Sequence, residues 1–175
     1  LLNTDMESAA IVFFQIVAAR SRLKILEDLL EKRFQERFSP YWHGTPGSNG
    51  VKKQPGLIAL IQQLDTTRNF IVHWGVAVNM GDYPVFESLV PQTFWRKGET
   101  RSLSVNDLQE FSKKADFVYR SINMFHLTTL NGTDFPSRST WLEIFRQPCV
   151  YPPADNHPLS PKSAKQQTPP QPSEG

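Results

Sequence analysis

The sequence predicts a mainly all-α protein: an antiparallel helical bundle with a small β-hairpin or irregular insertion and a disordered C-terminal tail. Three observations carry this expectation. Apolar residues recur at three- and four-residue steps in three long segments, and each segment yields one stripe that it cannot bury alone. Between the second and third segments the helical period is lost and strand-like composition replaces it. Near the end the composition collapses, with seven of the fourteen prolines in the last 25 residues among Gln, Ser and Lys. Such a segment buries too little apolar surface to offset its ordering entropy. The expected organisation is a helical domain over 1–149 and a proline-rich tail over 150–175.

The first helix is expected from about 5 to 37. Thr4 and Glu7 have the Thr-x-x-Glu spacing of a capping box. Val12, Ile16, Ala19, Leu23, Leu26, Leu30 and Phe34 form its apolar stripe, and Arg20, Arg22, Lys24, Glu31 and Lys32 lie opposite. Ser39-Pro40 ends it, because the residue before a proline is driven out of the helical region. "SPYWHGTPGSNGVKKQPG" then reads as a mobile loop on its Gly and Pro content. A second helix is expected from near Pro55 through Trp74, with Gly75 as its stop. Residues 76–103 hold "YPVFESLVPQTFW", which is strand-like, and "RKGET", a turn, so a short hairpin is expected there. The third long helix starts at Ser104, with Asp107 three residues on and Leu108, Phe111, Ala115, Val118, Ile122 and Phe125 in three-four steps. A short helix over 139–146 is expected to cover one end of the core.

The length of 175 residues fits one domain with appendages, and 39% hydrophobic with 11% aromatic residues suffices for a core without metal or disulfide staples. Cys149 is the single cysteine, so no internal disulfide forms; a reducing, cytoplasmic location is expected. No uncharged apolar run approaches the roughly 18 residues that a membrane span needs. The formal net charge of +2 neither demands nor excludes a nucleic-acid partner. The chain begins at Leu1, which leaves a preceding targeting segment open.

One stretch raises a chemical question: "DTTRNFIVHWG", Asp65 to Gly75. At about 100° per residue, Gln62, Asp65, Asn69 and His73 fall on one narrow polar face of the second helix. Leu57, Leu60, Ile61, Leu64, Ile71 and Val72 fall opposite. Arg68 projects into the apolar sector between Leu64 and Val72, so it must snorkel, find a carboxylate or meet a partner surface. The plain structural reading pairs it with Asp65, Glu27 or Asp28 and leaves Asn69 and His73 as solvated trim. Spacing alone does not decide, because Arg120 and His126 repeat a similar interval on the third helix. Asp65, Asn69 and His73 at steps of four recruit no second histidine or cysteine at helical spacing, so no metal is expected.

The segment "RNFIVHWG" resembles the Arg-Asn-x-x-x-His signature of the HEPN superfamily, small helical domains found in RNA-cleaving toxins, abortive-infection systems and CRISPR effector nucleases. The surroundings resemble bacterial HEPN-like proteins of unassigned role over roughly residues 5–130. The resemblance implies a helical-bundle fold and a metal-independent endoribonuclease or RNA-binding, toxin- or defence-type protein without a cofactor. Arg68, Asn69 and His73 would be its catalytic residues. In that chemistry a ribose 2′-hydroxyl attacks the adjacent phosphorus. A histidine suits the proton transfers, an arginine offers a planar fork of donors to the phosphate, and the asparagine orients either group. In an ideal helix Arg68 and His73 point about 140° apart. Family members resolve this by dimerising so that two motifs face one cleft, and a homodimer is therefore implied, with an RNA substrate and an antitoxin or other protein partner. A second class of reading is a non-catalytic helical module that uses the same fold to bind a protein.

Basic residues assigned to RNA contact are Arg20, Arg22, Lys52, Lys53, Arg96 and Lys97, with solvated surface as the plainer reading of each. His43 in "PYWHG" lies beside two aromatics, where a hydrophobic anchor outweighs a stacking platform. Cys149 has no histidine nearby in sequence to activate it.

Overall fold

A computed structural model of the protein describes residues 19–47, 54–80, 84–91, 102–130 and 135–160. Its helices are α1 (Ala19–Phe34), α2 (Ser39–His43), α3 (Leu57–His73), α4 (Val105–Thr129) and α5 (Arg138–Ile144). The strands are β1 (Gly44–Thr45), β2 (Gln54–Pro55), β3 (Gly75–Met80), β4 (Pro84–Val90) and β5 (Leu103–Ser104). The protein is mainly helical with two small antiparallel sheets. The Thr4–Glu7 spacing and the start of the first expected helix lie outside the described residues.

The long helices begin and end where local chemistry requires. At the head of α4, the Asp107 amide donates to Ser104 Oγ at 3.2 Å, and the Ser104 amide donates to Asp107 Oδ2 at 2.8 Å. This reciprocal capping box satisfies two amides that have no partner within the helix. The hydrogen bonds from Ser104 hold the Asp107 carboxyl below its ordinary range. Helix α3 ends at His73 because Trp74 turns extended, at φ −93° and ψ 151°. Gly75, expected as the helix stop, instead opens β3 opposite Val90.

The excursion after α3 is a hairpin. Strand β3 pairs with β4 from Gly75↔Val90 to Met80↔Pro84, with a register shift between Ala77 and Val78. Strand β5 adds Ser88↔Ser104 and Leu89↔Leu103, which brings the chain back to the capping box of α4.

The core forms where α3 and α4 pack together and where α2, α5 and the C-terminal segment close over them. Phe125 stands at its centre, with edge-on rings of Phe34 and Phe38 at 5.3 Å, Phe145 at 5.1 Å and Trp42 at 4.8 Å. Such ring pairs each contribute about 0.5–1.5 kcal/mol beyond area burial. The expected stripe of α4 is rotated in part: Val118 and Phe125 are buried, but Ser121 takes the core position adjoining Ile122, which is exposed.

Two expectations are corrected. The stretch after Ser39 is not wholly a loop, because Pro40 sits in the first turn of the short helix α2, which carries Tyr41 and Trp42 in the core. Helix α2 ends at Gly44, whose φ of 78° favours glycine. A Cβ at Gly44 would lie 2.0 Å from the Gln54 carbonyl oxygen, and one at Gly56 would lie 2.3 Å from that of Trp42. Only two glycines let these backbones touch, which fixes the pairing Gly44↔Pro55. The tail also begins later than residue 150. Leu159 and Ser160 are buried, Tyr151 packs on Phe117 at 5.4 Å, and His157 lies 5.9 Å from both Phe117 and Trp141. Rings interspersed among the prolines supply the apolar surface that composition averaged away. Residues 161–175 lie outside the described residues.

Candidate functional site

The last turns of α3 carry the motif. Arg68 is exposed, and its Nη1 donates to Asn69 Oδ1 at 3.1 Å. His73, the final residue of α3, is also exposed. The sector that Arg68 shares with Leu64 and Val72 is apolar but opens to solvent: Leu64 packs against the core one turn back, whereas Val72 one turn on is 54% exposed. Arg68 does not pair with the expected acids among the described residues. Asp28 takes Lys24 at 2.8 Å, while Glu27 and Asp65 line a groove. The competing interval is built otherwise: Arg120 Nη1 sits 3.7 Å from the Asp116 carboxylate one turn back.

Asn69 links the exposed arginine to that groove, an open cleft of about 760 Å³ between α1 and α3. Arg20, Lys24 and Glu27 come from the α1 side, and Gln62, Asp65 and Asn69 from α3. Leu23, Ile61 and Phe70 make its apolar surface. The Phe70 ring stacks on Trp74 at 4.6 Å and 24°. The structure thus places Asn69 and Arg20 on one groove and leaves Arg68 and His73 outside its wall. Arg22 is half-buried on α1 and does not line the groove. Lys52, Lys53, Arg96 and Lys97 lie outside the described residues.

The sequence reading singled out the polar face of α3 and named Arg20 as an RNA contact, but it did not set the two across one groove. The signal was the spacing of Arg20, Lys24 and Glu27, which share one side of α1 at steps of four and three. The hydrogen bond to Asp28 raises Lys24 above its ordinary range and holds it cationic.

Other candidates are structural. His43 is exposed, and its neighbours Tyr41 and Trp42, not the histidine, are buried in the core. Cys149 is buried beside Tyr41, and burial pushes its thiol up to about 11. A thiol so held is protonated at neutral pH and a poor nucleophile. Burial likewise lifts the Tyr41 phenol well above its ordinary range. Among the described residues no group of three His, Cys, Asp or Glu side chains is placed to hold a metal ion, and no helix is long and apolar enough to cross a membrane. In comparison with known proteins, the chain matches no family model, no curated protein and no solved structure.

Proposed function

We propose that this chain is a HEPN-like antiparallel helical domain that cleaves RNA without a metal, as a homodimer, through Arg68, Asn69 and His73. The observation that carries the reading is the exposure of Arg68 and His73 together with the 3.1 Å bond from Arg68 to Asn69. A structural arginine would be held by a carboxylate, as Arg120 is by Asp116. Arg68 is held by a neutral amide, which fixes the guanidinium without cancelling its charge. A phosphate can therefore take the remaining donors of the fork.

Each residue then has a distinct task. His73 moves the proton between the 2′-hydroxyl and the leaving oxygen. Arg68 stabilises charge building on the phosphate, and Asn69 positions Arg68. One copy presents the two groups on different sides of α3, so two copies related by a twofold axis would set the arginine of one against the histidine of the other. Val72, 54% exposed, and Val76, 61% exposed, supply apolar surface beside the motif for that contact. The same two valines support the second reading, a non-catalytic module that binds an antitoxin-like or other protein through this end of α3.

The test is incubation of purified protein with mixed RNAs in EDTA, followed by end-group analysis. Fragments ending in 2′,3′-cyclic phosphate from the parent and none from His73→Ala are expected. RNA left intact by the parent protein would leave the interaction module as the standing reading.

A further inference from the structure

We infer that the groove between α1 and α3 is a nucleobase subsite that holds guanine through Asp65, with the adjoining phosphate directed toward His73. The inference rests on the RNA-cleavage reading of Arg68, Asn69 and His73. It starts from the size and charge of the groove. About 760 Å³ lies within the range of roughly 300–1,000 Å³ usual for small-molecule sites. Its walls carry two basic side chains, Arg20 and Lys24, and two acidic ones, Glu27 and Asp65. Formal charges that cancel suit a neutral base in the groove better than a phosphate. Phe70 contributes an aromatic surface to the lining, and stacking on such a ring is available to any base.

Asp65 supplies the selection. Its carboxylate is half-buried at the groove and forms no ion pair among the described residues. An ionised carboxylate only accepts, with two oxygens side by side. Guanine alone sets two adjacent N–H donors on its Watson–Crick edge. Adenine and cytosine place a ring acceptor beside their amino group, and uracil flanks its one N–H with two carbonyls, so each would meet the carboxylate with repulsion. Asn69 complements this arrangement. Its Oδ1 is engaged by Arg68, which leaves its amide hydrogens to donate to the guanine carbonyl.

The spacing along α3 also fits. Asp65, Asn69 and His73 follow at steps of four, so Asp65 and His73 stand about 12 Å apart along the axis. With side-chain reach at both ends, one nucleotide spans that interval, base at Asp65 and 3′-phosphate at His73. Cleavage is therefore expected on the 3′ side of guanosine.

The experiment titrates the four nucleoside 3′-monophosphates into the full chain by calorimetry. The guanosine compound is expected to bind about tenfold more tightly than the other three, the scale of one well-formed bidentate base contact. Asp65→Asn, with unchanged melting temperature, is expected to erase that margin, whereas His73→Ala keeps it. Equal affinity for all four, absence of guanosine 3′-monophosphate binding, or a margin that survives Asp65→Asn would overturn the inference. The two readings separate in the cleavage assay. Cutting after all four bases alike defeats the guanine subsite and leaves the nuclease standing; selective guanine binding without any cutting does the reverse.

Discussion

His73 is exposed at the end of α3, so its replacement separates chemistry from folding. His73→Ala is expected to lower RNA cleavage by roughly 10²-fold or more, the usual scale for a lost general acid or base. Thermal unfolding should shift little, within about 0.5 kcal/mol for an exposed position. Arg68→Ala is expected to lower cleavage by about 10²–10³-fold, as for a lost donor to developing negative charge. Arg120→Ala and His126→Ala are the matched controls, since Arg120 is tied to Asp116. Cleavage that tracks the controls would move the site to α4. The polar face of α3 was legible because helical periodicity fixes angles about a helix axis. The exposure of Arg68 was not, because periodicity does not say how far along α3 its neighbours pack: the apolar face meets the core through Leu64, and Val72 beyond it is exposed.

At the scale of elements, α4 and the C-terminal segment respond to pH for different reasons. Ser104→Ala removes the capping box of α4 and is expected to cost about 1 kcal/mol by chemical denaturation. Because the folded Asp107 carboxyl lies below its ordinary value of 3.8, its contribution is present above that value and lost as pH falls through the lower, folded one. Ser104→Ala should flatten that acid limb; a limb of unchanged steepness would show that other carboxylates dominate it. His157 behaves in a related way in a milder range. Burial lowers it from 6.5, and its Nδ1 accepts from the Leu159 amide at 3.1 Å. The unfolded segment takes up the proton first, so docking of residues 150–160 is full above 6.5 and weakens as pH falls below it. Hydrogen exchange at the Leu159 and Ser160 amides, beyond the intrinsic change with pH, should speed up between about pH 7 and pH 5. In His157→Asn, which can accept but not titrate, that dependence should disappear. Composition hid this docked segment, because Tyr151, His157 and Leu159 act singly against Phe117 and Trp141 and leave no periodic trace.

For the whole molecule, the proposed composite site makes association a condition of activity. Light scattering at micromolar concentration is expected to give a mass near twice 20.0 kDa. Val72→Asp, at an exposed position that leaves the core untouched, is expected to return it to one chain and to abolish cleavage with it. A parent that cleaves RNA as a strict monomer would remove the shared cleft. The mainly helical character was legible from local periodicity and a hairpin after α3 from strand-like composition, but not where it turns: β3 and β4 close between Met80 and Pro84, whereas the turn expected at RKGET lies outside the described residues. The convergence on Phe125 was not legible: Phe34, Phe38 and Trp42 follow at steps of four, but a helix end read at Ser39-Pro40 separates Trp42 from the other two, and Phe145 comes from a distant segment that only the folded chain brings to them.

The close backbone approach of Gly44 and Gly56 has an engineering consequence. It acts as a clasp: the chain leaves it at Thr45 and returns at Gln54, and the close approach of the two glycines holds the register Gly44↔Pro55. Length added inside a closed loop costs only about 0.6 kcal/mol per doubling. A peptide epitope grafted between Gly47 and Gln54 should therefore leave the melting temperature within a few degrees of the parent. Gly44→Ala, which adds no length but opens the clasp, should lower it more than the entire graft.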